Sequence, residues 1–151
     1  MKYSEEITNQ LNNLLNRTYD AEKGYQLAQD SVSDFEIKKF LGDQIQRRYH
    51  FRHALKNEVL KYGELKSNQG SLKGDIHRTW MKLSTILTGD EIENFLEEIQ
   101  RGEEDCVEDY NDFLEKFALV LPPSTYELIT KQRDSIQANI YEVKKFEELV
   151  S

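Results

Sequence analysis

A single cysteine, Cys106, stands among 151 residues, so no internal disulfide can form, and the chain fits a reducing compartment. Only two prolines occur, and 32% of residues are charged, which suits a soluble helical chain better than a β-sandwich. No run of about eighteen apolar residues is present, so no membrane-spanning helix is expected. Basic residues are outnumbered 20 to 28, and a net charge of −8 argues against nucleic acid as a partner, because phosphate binding needs a basic face. The opening Met1-Lys2-Tyr3-Ser4 leads directly into polar sequence without an apolar signal segment, giving the expectation of a cytoplasmic protein. Glycine-rich phosphate loops, nucleophile elbows and triad spacings are all missing. The length suits one domain over residues 1–151, large enough for a single core.

What is present is helical periodicity. In 92–117, Ile92, Leu96, Ile99, Cys106, Tyr110, Phe113, Leu114 and Phe117 fall on one stripe, with Glu103 near its middle. A first helix is predicted from about Ser4 to Asp30, with a stripe of Ile7, Leu11, Leu14, Leu15, Thr18, Ala21, Tyr25 and Ala28, and Glu22 on the same face. Ser33 and Glu36 have capping-box spacing before a second helix that runs to Tyr62. Its stripe is Ile37, Leu41, Ile45, Phe51, Leu55 and Val59, with Arg48 at the centre and Gln44 beside it. The segment 63–89 reads as a crossover carrying one short helix through Ile76, Trp80, Leu83 and Leu87, with Trp80 plugging the core. Asp90 and Glu93 cap the third long helix, which is stopped near Leu119 by Leu121-Pro122-Pro123. Ser124 and Glu127 cap the fourth, with Leu128, Ile129, Ile136, Val143, Phe146 and Val150 on its stripe and Gln132 and Asn139 on the same face. Four helices of about 40 Å, joined by short, long and short connections, predict an all-α, ferritin-like antiparallel four-helix bundle.

Every long helix thus places a polar residue on its core stripe: Glu22, Arg48, Glu103 and Gln132. Di-iron bundles use a Glu on each of two helices and Glu-x-x-His on the other two. Here Arg48-Tyr49-His50-Phe51 offers Arg and Phe at the two ends of that spacing, and the fourth helix has no histidine. Arg48 is therefore read as occupying the charge position a metal would hold, since a guanidinium is permanently cationic and its fork satisfies carboxylates from two helices. Glu22, Arg48 and Glu103 then form a buried network, with Gln132 donating to a remaining oxygen. One difficulty is register. Counted from Val32, Glu22 and Arg48 differ by six residues, about 9 Å along antiparallel helices, which makes Gln44 the alternative partner of Glu22.

Several stretches carry a family resemblance: Asp20-Ala21-Glu22-Lys23-Gly24-Tyr25, Gln46-Arg47-Arg48-Tyr49-His50-Phe51, Ile76-His77-Arg78-Thr79-Trp80-Met81-Lys82-Leu83, Leu87-Thr88-Gly89, and Arg101-Gly102-Glu103-Glu104 followed by Tyr110. On these the chain resembles the bacterial ferritin-like family called domain of unknown function 2383. The resemblance implies a ferritin-like bundle and carries no catalytic residues with it. The Asp20-Ala21-Glu22-Lys23 run is also similar to the first helix of another ferritin-like group, whose Glu binds metal.

Three functions are open at this level. The first is a non-enzymatic bundle acting through association, with outward Tyr19, Leu27, Phe35 and Leu60 compatible with a homodimer and no cofactor expected. The second is an iron or manganese oxidase or store using Glu22, Glu103, Glu104 and Gln132 without histidine. The third is a binder of small molecules in a cavity lined by Tyr25, Phe51 and Tyr110. The simpler readings are that His50 and His53 form an exposed pair, His77 packs near Trp80, and Cys106 is an inert core residue. Glu97, Glu98, Glu103, Glu104, Asp105, Glu108 and Asp109 read mostly as a solvated face.

Overall fold

The computed structural model describes residues 2–66, 75–81, 83 and 92–150, and the side chains of Lys2, Asp75, Ile76, His77 and Val150 are outside that description. The chain is all-α. Four long helices, α1 (Lys2–Ser31), α2 (Phe35–Tyr62), α4 (Ile92–Phe117) and α5 (Pro123–Val150), form a bundle with a short α3 (Asp75–Met81) against it. The hairpins α1–α2 and α4–α5 pack internally, α1 meets α4, and α3 lies on α1 and α4. Ion pairs and hydrogen bonds fix the directions. Arg17 meets Asp109 while Tyr25 meets Glu103, so α1 and α4 run oppositely. Arg48 meets Glu103 and Glu58 meets Thr125, which puts the end of α2, the end of α4 and the start of α5 at one end of the bundle.

The helices begin and end where local chemistry allows. Asp34, not Ser33, caps α2: its Oδ1 accepts the Ile37 N–H at 3.0 Å. This removes the predicted Ser33–Glu36 box, because Asp34 is one residue closer to the first turn. Gly63 ends α2 by donating its N–H to the Val59 carbonyl at 2.9 Å. Asn12 of α1 then pins the departing chain, donating to the Glu64 carbonyl at 3.1 Å and accepting the Lys66 N–H at 3.1 Å. α4 stops at Phe117, two residues before the predicted end, and α5 starts at Pro123 rather than being capped by Ser124. A proline suits the first helical turn because its fixed φ is already helical and its missing N–H has no partner there to lose. The predicted Asp90 cap and Leu87 lie outside the described residues.

The core follows the predicted stripes closely on α1 and α4, with Phe95 added to α4. On α2, Ile45 and Phe51 are only half-buried, as are Leu128 and Phe146 on α5. Trp80 of α3 is buried, as is Leu83 beyond its end, so this segment contributes directly to the core. Trp80 fits because two helix positions beside it lack a side chain. A Cβ on Gly24 would lie 2.7 Å from the Trp80 carbonyl oxygen, and one on Gly102 would lie 2.8 Å from its indole Cε2 and Cζ2. Each of these helical glycines costs about 1 kcal/mol relative to alanine, a cost set against burial of the largest side chain in the protein.

Candidate polar site in the bundle core

The centre of the bundle holds an ion pair. Arg48 Nη1 donates to Glu103 Oε2 at 3.1 Å and Nη2 to Oε1 at 2.5 Å. Side-chain exposure is 2% for Arg48 and 0% for Glu103, so the two charges answer each other without water. Isolated, either would carry several kcal/mol of desolvation cost; the bidentate geometry is what offsets it. From α5, Asn139 Nδ2 donates to Glu103 Oε2 at 2.6 Å and to the Tyr25 hydroxyl at 3.3 Å. Four helices therefore converge on one carboxylate: Tyr25 from α1, Arg48 from α2, Glu103 from α4 and Asn139 from α5.

Burial and the neighbouring charges raise the pKa of three groups in and beside this layer. Burial alone would weaken proton binding by Arg48, but the adjacent Glu103 charge reverses that and raises its pKa above the ordinary value. Burial, followed by the Glu103 carboxylate, raises Tyr25 well above the usual phenol range. Burial pushes the Cys106 thiol up to about 12, with Arg48 opposing, so the thiolate nucleophile is suppressed at neutral pH.

A second layer lies toward the end where α5 begins. Tyr110 donates its hydroxyl to Gln132 Oε1 at 2.6 Å, and Gln132 Nε2 reaches the Phe51 carbonyl at 3.4 Å. Burial raises the Tyr110 phenol as well. At that same end Thr125 donates to Glu58 Oε2 at 2.6 Å and Lys61 donates to Oε1 at 2.9 Å. The Tyr62 hydroxyl lies 2.6 Å from Thr125 Oγ1, and since the Thr125 proton goes to Glu58, Tyr62 is the donor.

Of the five residues predicted for a common layer, only Arg48 and Glu103 bond to each other. Glu22 goes to Arg52, one turn along α2, accepting from Nε at 2.7 Å and from Nη2 at 3.2 Å. The reason is register: α1 and α2 bring Tyr25, not Glu22, level with Arg48. Gln44 is buried, but its side-chain oxygen has no partner among the described residues. Gln132 serves Tyr110, and the bond to Glu103 expected of Gln132 is made by Asn139 instead. The signal for Asn139 was its place on the α5 stripe, seven residues after Gln132; Glu58 and Thr125 gave none beyond lying beside apolar positions.

The alternative metal set does not assemble. Glu22 sits on Arg52, Glu103 is enclosed by Arg48 and Asn139, and Glu104 is exposed on the outer side of α4. Among the described residues no three His, Cys, Asp or Glu side chains gather in a metal-binding cluster. The Arg48 guanidinium engages both oxygens of Glu103, the fully buried carboxylate of this layer. Of the three residues considered as the lining of a small-molecule cavity, Tyr25 and Tyr110 are buried and Phe51 is half-buried, with the Arg48 guanidinium 5.7 Å from the Phe51 ring centre. His50 and His53 are exposed and each meets the Tyr49 ring edge-on, and the His77 side chain lies outside the described residues. The acidic face is less uniform than predicted: Glu98 is buried and paired with Arg101 at 2.9 Å, and Asp109 holds Arg17 at 3.1 Å.

No curated protein and no solved structure matches the chain. Residues 6–116 match the family profile described as domain of unknown function 2383. That span runs from the start of α1 to the last turn of α4 and contains Tyr25, Arg48, Trp80 and Glu103, so the chain belongs to the family called domain of unknown function 2383.

Proposed function

We propose that this protein is a non-enzymatic, ferritin-like bundle whose metal layer has been replaced by an arginine–carboxylate network, and that it acts by association with a second copy of itself. The observation that carries the reading is the bidentate Arg48–Glu103 pair closed by Asn139. A permanent cation at the centre of four helices supplies the charge a metal would bring, but it has no vacant coordination position and no redox chemistry. The reading also takes support from the surface. Tyr3, Leu60, Leu119, Val120 and Tyr126 are exposed, and all five belong to the end of the bundle where α1 and α5 start and α2 and α4 finish. Phe35 and Leu149 are exposed at the opposite end, and large exposed apolar side chains of this kind are compatible with a contact surface. Such a cytoplasmic bundle needs no cofactor.

Sedimentation velocity over a wide concentration range tests it. A dimer that dissociates in a Leu60→Glu, Leu119→Glu variant of unchanged helicity supports the proposal. A monomer at every concentration removes self-association and leaves a different partner to be found.

A further inference from the structure

We propose that a single internal water molecule is bound in the seam between α2 and α5, bridging Gln44 and Asn139 and closing the Glu103 layer on that side. The inference rests on two buried oxygens and on the register that brings them together. Gln44 Oε1 and Asn139 Oδ1 belong to residues only 1% exposed, and neither atom has a hydrogen-bond partner among the described residues. A buried acceptor left unpaired carries the full cost of its desolvation, so folded interiors supply a donor in nearly every case. Contacts from Glu58–Thr125 to Phe40–Phe146 show that α2 and α5 run oppositely. Between them, Gln132 Nε2 reaches the Phe51 carbonyl at 3.4 Å. Gln44 lies seven residues before Phe51, and Asn139 lies seven residues after Gln132. Seven residues make about two turns, so Gln44 and Asn139 stand at one height, and Asn139 keeps the facing of Gln132.

Side chains bridge this seam, whereas close backbone packing among the long helices runs α1–α2, α4–α5 and α1–α4. A gap lined by amide oxygens is the kind that internal water occupies, while apolar cavities stay dry. Water also fits the chemistry. Two facing acceptors call for two protons from one molecule, and water carries both. Its own oxygen then needs a donor. Arg48 stands one turn along α2 from Gln44 and has N–H groups beyond the two that it gives to Glu103. The resulting set of about three hydrogen bonds is typical of a buried water. A cation in the same place would meet the Arg48 charge with only neutral amide oxygens to offset it. The water holds Asn139 at the second end of its amide: Nδ2 donates to Glu103 and to Tyr25, and Oδ1 accepts from the water.

A high-resolution crystal structure of the unaltered protein tests this, with water–protein cross-relaxation by NMR as its counterpart in solution. The crystal is expected to show one ordered water within hydrogen-bond distance of both Gln44 Oε1 and Asn139 Oδ1. In solution, a long-lived water is expected to give a cross-peak to the Asn139 side-chain amide protons. In Gln44→Leu, whose apolar side chain takes up the space, that cross-peak should vanish while Arg48 and Glu103 stay paired. A turned Gln44 amide that donates directly to Asn139 Oδ1, with no water between them, overturns the proposal. So does a metal or ammonium ion found in the seam, or a cross-peak that persists unchanged in Gln44→Leu.

Discussion

Two arginines one turn apart on α2 make the same kind of contact in different surroundings. Arg48 reaches α4 and pairs with Glu103 at 2% and 0% side-chain exposure, whereas Arg52 reaches α1 and pairs with Glu22 at 18% and 15%. Both pairs are bidentate. The outer pair has water as an alternative partner and two aromatic faces beside it, Tyr19 and Tyr49, at 5.2 and 5.1 Å from the guanidinium. The inner pair is closed in by Asn139, Tyr25 and the Phe51 ring, with almost no exposure to water. The difference teaches that the pairing alone says little about energy. What decides it is what each charge would face if the other were removed.

The largest effect should follow from breaking the inner pair on one side. Arg48→Ala leaves the Glu103 carboxylate buried and unpaired, at a cost of about 3–5 kcal/mol, which lowers Tm by roughly 10 °C in a chain of this size. The double replacement Arg48→Met with Glu103→Leu should recover most of that loss, because an apolar pair carries no desolvation cost. If it remains as unstable as Arg48→Ala, the ion pair contributes net stability beyond its own desolvation. Next in size is Asn139→Ala, which removes a hydrogen bond to a charged group and should cost about 1.5–3 kcal/mol in a urea titration. Arg52→Ala should cost no more than about 1 kcal/mol, and only this effect should shrink as salt is added. Equal losses at Arg48 and Arg52 would erase the distinction drawn here.

The smallest expected effect concerns pH. Burial raises the carboxyls of Asp105 and Asp109, with neighbouring Glu108 adding for the former and Arg17 opposing for the latter. The folded chain therefore holds these protons more tightly than the unfolded chain. Their contribution to stability is present at acidic pH and is lost as pH rises through their folded pKa values. Asp105→Asn should flatten that part of the Tm–pH profile while changing stability at neutral pH by no more than about 0.5 kcal/mol.

Most of the fold was legible in the sequence because helix faces are set by spacing. The stripes of α1 and α4 named nearly every core residue, and Arg48 and Glu103 stood out as charges at stripe centres. The partners were harder, since they depend on register between helices, which local spacing does not encode. Glu22 and Arg48 share neighbouring helices, yet the register of α1 on α2 sends Glu22 to Arg52 and gives Arg48 Tyr25 as its neighbour. Asn139 and Gln132 were indistinguishable on their stripe, and only their height along α5 assigns one to Glu103 and the other to Tyr110. The glycines behind Trp80 were unreadable for a similar reason: nothing in α1 or α4 alone shows that another segment presses against them.

The central claim is that a fixed guanidinium holds the place of a metal. Metal content per chain tests it most directly, on untagged protein produced with supplemental iron, manganese and zinc, beside the Glu103→Ala variant. The account predicts background metal in both. Near-stoichiometric metal in the unaltered protein that disappears in Glu103→Ala would contradict it.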